Sequence, residues 1–441
     1  MMKKHLFLLW AFIGMLVFNA CSDDDEKFAN PIGVTIESET GRFHVLPDQK
    51  LTLSAKVDNA EGMTYRWTVD GKEVSTASTY EFSGSELRDY KVELSVAQNG
   101  NQGLSEAEIE VHGKYKYGTF VLNEKSFLNF IDEDGNLADS VFYRENGEKL
   151  ANLTQDLYIH DDHLYIVSQQ GSNYTEPGRL YVTNAETLKK EAMYDLTGLS
   201  TPSHLAVPDN DYVYVRTPNG IYLFRPSTQA LTKVEGSDGA IKHPMAVVDD
   251  KVLALAGKNL LVIEEGQTKV AKSIEFSDNV TGVLKAGDDH AWVACASGEI
   301  CKLNLKDYSK ESHMLPEEVK PALSISMEIP TGSNITAKGD TLYMNGVKLN
   351  VYRHIFSKGE KDLTLVADLK TFFPAATQTY NPVAVHPVTG DLYANISEGV
   401  WGGLPYHTAI FSVNGDNLEL KKDFQDVVNY PAGIFFTYNF D

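Results

Sequence analysis

The chain has 441 residues, 61 acidic against 39 basic, for a formal net charge of −22, and 42% of it is hydrophobic. That length exceeds an ordinary single domain and that apolar content supports a large core, which excludes a disordered chain. The acidic excess repels phosphate backbones and anionic lipid headgroups, so nucleic acid is excluded as a partner.

Residues 1–20 are laid out as an export signal, with Lys3 and Lys4, an apolar run from Leu6 to Phe18, then Asn19 and Ala20 before Cys21. The run is too short to span a bilayer comfortably. Ala20-Cys21 resembles the end of a bacterial lipobox, which implies lipidation of Cys21 and membrane attachment through that lipid; Phe18 stands where the common residue is Leu. A plain signal peptide and an uncleaved anchor are the alternatives. Residues 21–30 form an acidic linker in which Ser22-Asp23-Asp24-Asp25-Glu26 resembles the surface-export signal of Bacteroidetes lipoproteins. That resemblance implies display on the outer face of the outer membrane, against the alternative of a merely solvated linker.

Residues 31–113 are predicted to be a small β-sandwich. Apolar residues alternate in Leu51 to Val57, Tyr65 to Val69 and Tyr90 to Val96, the period of half-buried strands, and Asp70-Gly71 marks a hairpin turn. The run Tyr65-Arg-Trp-Thr-Val-Asp-Gly71, with Tyr80-Glu-Phe82 and Tyr90-Lys-Val92, resembles the immunoglobulin-like PKD modules of bacterial surface proteins. In that family the module is usually a spacer, which implies a stalk here, with carbohydrate binding as the alternative. Residues 112–116 read as a linker, and a β-propeller is predicted over 117–441.

The propeller reading rests on a repeated phrase. Gln155 to Val167 is a strand, a tight acidic turn and a second strand, and versions of it recur at Pro202 to Val215, Pro244 to Leu255, Thr281 to Val293, Ser333 to Met344 and Pro382 to Tyr393. The residue after the turn falls at Tyr165, Tyr214, Leu253, Trp292, Tyr343 and Tyr393, in steps of 49, 39, 39, 51 and 50 residues. One four-stranded blade per repeat matches the roughly 40 to 50 residues of known blades. Pro431 to Phe436 is the first half of the phrase and Tyr117 to Asn123 the second half, so joining the termini completes a seventh blade and pairs the edges an open array would expose. The alternative is a row of unrelated hairpins. No long helical periodicity appears, and 316–332 is the longest irregular stretch of the propeller.

Cys295 and Cys301 flank the turn between two strands of blade four, where a disulfide and a pair of buried free thiols both fit the spacing. No nearby His or Cys completes a zinc set, and no metal or cofactor is expected.

Propeller geometry brings the residues just before each phrase, and the loops between second and third strands, to one mouth, the default ligand site. Those residues include Gln155, His204, His243, Asn334, Tyr380, Asn381 and Tyr430, a neutral, polar and aromatic set. Two of the loops are long: Gln169 to Gly178 offers Gln169, Gln170, Asn173 and Tyr174, and Glu398 to His407 offers Trp401 and Tyr406. Gly171, Gly178, Gly402 and Gly403 are expected to permit turns closed to other residues. Stacking aromatics with amide hydrogen bonds suit a neutral, ring-bearing ligand such as a sugar or a macrocycle. The same aromatics packing their own loops is the alternative.

No catalytic residue is assigned. His160, His204, His243, His290, His354, His386 and His407 are scattered singly, and the paired Asp161/Asp162, Asp249/Asp250 and Asp288/Asp289 fall in the turns at the opposite face, where Asp is an ordinary turn former. No nucleophile elbow, phosphate loop or dinucleotide fingerprint is visible.

Tyr117-Gly-Thr-Phe-Val-Leu-Asn-Glu124, the blade phrases and Tyr430-Pro-Ala-Gly-Ile-Phe-Phe436 together look like the YncE-like propeller lipoproteins of Bacteroidetes. Those include proteins similar to the BtuG type, which capture cobalamin and pass it to a TonB-dependent outer-membrane transporter. The resemblance implies a non-enzymatic surface binder of a corrinoid or an oligosaccharide that hands its ligand to such a transporter. A propeller hydrolase or lyase using the same mouth, and an adhesion or scaffold protein without a small ligand, are the other readings.

Overall fold

The computed structural model describes residues 31–324, 334–399 and 404–437. They fall into two compact units, one ending at Lys114 and the other beginning at Tyr115. Strand accounts for 53% and helix for 5%, so the protein is all-β. The export signal, Cys21 and the acidic linker lie outside the described residues.

The first unit is two facing sheets. One has three strands, Val34–Ser38, Leu51–Val57 and Thr79–Phe82; the other has five, ordered His44–Val45, Asn101–Val111, Arg88–Gln98, Thr64–Val69 and Lys72–Ser75. Alternation in Arg88–Gln98 sends Tyr90, Val92, Leu94 and Val96 into the core. Trp67 is fully buried among them, and its indole N–H donates to the Ala77 carbonyl at 2.9 Å, so the one polar atom of the ring is satisfied. Asp70 and Gly71 both have positive φ, 49° and 77°, which is the turn that matches strand twist in a two-residue hairpin.

The second unit contains, among the described residues, seven sheets, six of four strands and one of five. Sheet one runs in chain order through Thr154–His160, His163–Ser168, Arg179–Asn184 and Lys190–Asp195; sheets two to five repeat this plan from His204, Ala246, Val280 and Ile335. Sheet six begins as two short pieces, Gln378–Thr379 and Ala384–Val385, that share Leu392–Ser397. Sheet seven takes strands from both ends of the unit: Pro431–Phe436 lies beside Gly118–Asn123, with Phe435 opposite Phe120.

Burial explains why the second and third strands read as apolar runs and the fourth does not. Each sheet is covered on both faces by neighbours, so Gly118–Asn123 is buried at every position, whereas Lys190–Asp195 faces solvent. Apolar clusters join successive sheets: Tyr165 and Val167 of sheet one pack on Leu205 and Val215 of sheet two. Phe120 and Leu122 of sheet seven pack on Leu157 and Ile166 of sheet one, and Val121 and Ile131 of sheet seven pack with Tyr393 and Ile410 of sheet six.

Turn chemistry follows the acidic pairs. Asp161, Asp249 and Asp289 sit just after first strands with φ of 50°, 53° and 58°, the left-handed region that Asp tolerates. In the stretch beginning at 316 the chain is regular at first, because Glu317–Val319 and Lys320–Leu323 form two helical turns that place Val319, Ala322 and Leu323 over the apolar cluster between sheets four and five. Cys295 and Cys301 are free, buried thiols. The strand register sets Cys301 opposite Val293, so the two cysteines are out of step across the hairpin; burial pushes the Cys295 thiol up to about 12.

Candidate functional site

The starts of the first strands surround a cavity of about 190 Å³ at one end of the second unit. Its polar lining is Glu124, Gln155, Asp156, His204, Thr336 and Asn381, and its apolar lining includes Pro244, Val383 and Phe435. Of the residues singled out in the sequence, Gln155, His204 and Asn381 therefore meet on one cavity, although 226 positions separate the first from the last.

Local backbone features aim these side chains. The register slips between Thr154 and Asp156, making Gln155 the extra residue of a bulge, and its amide Nε2 donates to Glu124 Oε1 at 3.0 Å. Asn381 has φ of 74° and its Nδ2 donates to the Pro431 carbonyl at 2.6 Å, tying the start of sheet six to the C-terminal strand. The Asp156 carboxylate accepts from the Leu205 N–H at 2.8 Å and from its neighbour Leu157 at 3.0 Å, bridging the first strands of sheets one and two.

Three tyrosines form an edge-to-face group beside Glu124. Ring centroids are 5.9 Å apart for Tyr380 and Tyr430, 6.3 Å for Tyr380 and Tyr406, and 6.4 Å for Tyr406 and Tyr430. Tyr406 is completely buried and Tyr380 nearly so, which corrects the expectation that Tyr406 offers a flat face to a ligand: that face is packed. Tyr430 is half-buried, and the Lys125 ammonium lies 5.2 Å from its ring centroid.

The neutral mouth predicted from sequence is also corrected. Glu124, Asp156, Arg216 and Lys242 are ionisable groups at this end of the unit, and burial disfavours the charged form of each. It raises the Glu124 carboxyl, lifts Asp156 to about 7, lowers the Lys242 ammonium and brings Arg216 down to about 10. His204 and His243 are both buried and held neutral; burial and then the Lys242 charge press His204 well below the usual range, and burial and then Arg216 bring His243 to about 4. Tyr380 is pushed up by burial and then by the Glu124 charge.

The charged residues had a readable signal. Glu124 and Lys125 follow the second half-phrase of the blade made from both termini, the position that Gln169 holds in blade one. Lys242 immediately precedes His243, and Arg216 is the penultimate residue of the second strand of sheet two.

The remaining candidates lie apart or serve their own loops. In the loop after sheet one's second strand, Glu176 is the organiser: it accepts from the Ser172 N–H at 2.7 Å, from Asn173 Nδ2 at 2.7 Å and from Arg179 at 3.0 Å. Asn173 is thereby used locally, Tyr174 is 75% exposed, and Gln169 and Gln170 donate backbone N–H groups to Leu153 and Asn152. Gly171 and Gly178 have φ outside the left-handed region; their role is close approach, since a Cβ on Gly178 would lie 2.7 Å from the Ser168 carbonyl oxygen and one on Gly171 would strike Glu176. Asn334 is fully buried, with Nδ2 donating to Ser324 at 3.0 Å. Trp401, Gly402 and Gly403 lie outside the described residues. His407 is clamped between Asp423 at 2.9 Å and Glu398 at 3.3 Å, which anchors the second long loop at its base.

Comparison with known proteins places this geometry. Residues 117–437 match the family described as "Domain of unknown function (DUF5074)". The chain belongs to that family. Residues 31–98 match the PKD-like domain, so the first unit is PKD-like. A search of the curated proteins finds no match. Among solved structures, the chain is similar to the crystal structure of a quinonprotein alcohol dehydrogenase-like protein from Bacteroides thetaiotaomicron VPI-5482, at 16% identity over 90% of this chain and 96% of that one, with a TM-score of 0.58. At that identity the likeness is one of fold, and it agrees with a propeller-like family domain. A computationally designed protein, Ika8, matches at 11% identity over 72% of this chain and 86% of that one, with a TM-score of 0.45.

Proposed function

We propose that the family domain is a closed seven-bladed β-propeller that captures a small nutrient at its mouth without transforming it. The pairing of Pro431–Phe436 with Gly118–Asn123, and the clusters linking sheet seven to both sheet six and sheet one, support closure. The observation that carries the binding reading is the convergence of Glu124, Gln155, His204 and Asn381 on one cavity beside an edge-to-face tyrosine group. Fixed polar groups in a partly desolvated, aromatic-flanked hollow recognise a ligand through oriented hydrogen bonds. A cavity of about 190 Å³ takes one substituent of a ligand rather than a whole macrocycle, because pockets that enclose drug-sized molecules run to roughly 300–1,000 Å³. The body of a corrinoid or oligosaccharide would rest on the rim.

The lipobox-like Ala20-Cys21 and the acidic run after it support a lipid-anchored protein on the outer-membrane surface, and a TonB-dependent transporter is the partner such a protein would serve. Calorimetry of the purified full chain against corrinoids and a glycan panel tests the reading. Binding by one class with no chemical change in the ligand is the expected result; a folded protein that binds none of them sinks it.

A further inference from the structure

Arg216 and Lys242 stand out in so acidic a protein. Some cations of the second unit meet carboxylates, as in Arg179 with Asp195, Arg225 with Asp211 and Lys251 with Asp250, and others stay in solvent; Arg216 does neither. Arg216 is 8% exposed, yet its guanidinium reaches only neutral acceptors: Nε and Nη2 donate to the Ala240 carbonyl at 3.2 and 3.0 Å, and Nη1 to Ser203 Oγ at 3.4 Å. Lys242 is half-buried, and among the described residues no carboxylate lies within ion-pairing distance of it or of Arg216. A buried cation without an anion is costly, and chains normally place a carboxylate beside it.

Neither cation lines the cavity itself, but each stands near a residue that does. Ser203 Oγ joins Arg216 to the cavity-lining His204, whose Nδ1 is 3.1 Å from that oxygen. Lys242 precedes the lining residue Pro244 by two positions and acts electrostatically on Glu124 and His204. The acids facing the same space are Glu124 and Asp156. Glu124 is occupied by the Gln155 amide, and Asp156 by the N–H groups of Leu157 and Leu205. Neither closes on the two cations.

We infer that the missing anion is carried by the ligand: the mouth takes an oxyanion, a carboxylate or phosphate group, with Lys242 as its direct partner, Arg216 as a fixed positive charge behind it, and Gln155 and His204 as neutral hydrogen-bonding groups at its side. This rests on the ligand-capture reading and narrows it to ligands bearing an acidic substituent, whether a phosphodiester or a uronate. A charge-assisted contact is shorter and stronger than a neutral one, which selects such ligands over uncharged analogues.

The test is calorimetric binding of sodium glucuronate, inorganic phosphate and glucose to the full chain and to Lys242→Gln and Lys242→Arg, with circular dichroism to verify folding. Among the described residues the Lys242 side chain makes no hydrogen bond, so its replacement is expected to leave the fold intact. Saturable binding of glucuronate or phosphate but not glucose, weakened about 10-fold or more in Lys242→Gln and largely kept in Lys242→Arg, is expected. Glucuronate alone points to an acidic glycan and phosphate alone to a phosphodiester-bearing ligand. If a corrinoid or neutral glycan binds equally well to Lys242→Gln and neither anion competes, the oxyanion site is refuted while ligand capture stands. If neither the anions nor any corrinoid or glycan binds, both fail.

Discussion

Asp156→Asn probes the energetics of the cavity wall. The wild-type carboxyl is buried, bridges two first strands through the N–H groups of Leu157 and Leu205, and is raised by burial from 3.8 to about 7. That displacement corresponds to about 4 kcal/mol, an upper limit for one group. The folded state holds this proton more tightly than the unfolded chain, so the associated stability is fully present below the unfolded pKa and is lost as pH rises through about 7. Asparagine does not titrate, but it turns an NH2 toward one of the two backbone donors, a cost of about 1–3 kcal/mol at any pH. The wild type is therefore expected to be the more stable near pH 4, with the gap closing or reversing toward pH 8. Urea unfolding followed by circular dichroism across that range measures the gap. A difference that stays constant with pH refutes the burial argument for Asp156.

Other outcomes follow from the packing. Deleting residues 430–441 removes the strand beside Gly118–Asn123, and the exposed edge should lower the melting temperature and promote association, read by thermal melts and size-exclusion chromatography; an unchanged melt would contradict the closing role. Trp67→Ala empties the centre of the PKD-like unit and should cost that unit about 3–5 kcal/mol, visible as a lower-temperature calorimetric transition and lost near-ultraviolet dichroism. Cys295 and Cys301 should resist a thiol reagent in native buffer and both react after unfolding; rapid native labelling would contradict their burial.

Much of the architecture was legible because strand period and turn chemistry are local properties. The alternation around Trp67 marks a two-sheet unit, and the repeated phrase marked by Tyr165, Tyr214 and their counterparts marks the repeated sheets, since each depends on residues within about a dozen positions of one another. The same phrase separates the Asp turns from the opposite end, where Gln155 and His204 lie at the starts of their strands and Asn381 lies between the two short first pieces of sheet six.

What tertiary structure alone decided is which side chains share a space and how wet it is. Glu124 and Tyr380 are distant in the chain, and only the packing of sheet seven against sheet six puts that carboxylate beside the tyrosine group. Tyr406 reads as an exposed loop aromatic but is buried by its neighbours, and the cysteine spacing allowed a bridge that the strand register denies. Composition shows an acidic protein, yet Arg216 is buried on neutral acceptors next to the cavity-lining His204, because charge pairing depends on distances and desolvation that no linear pattern encodes.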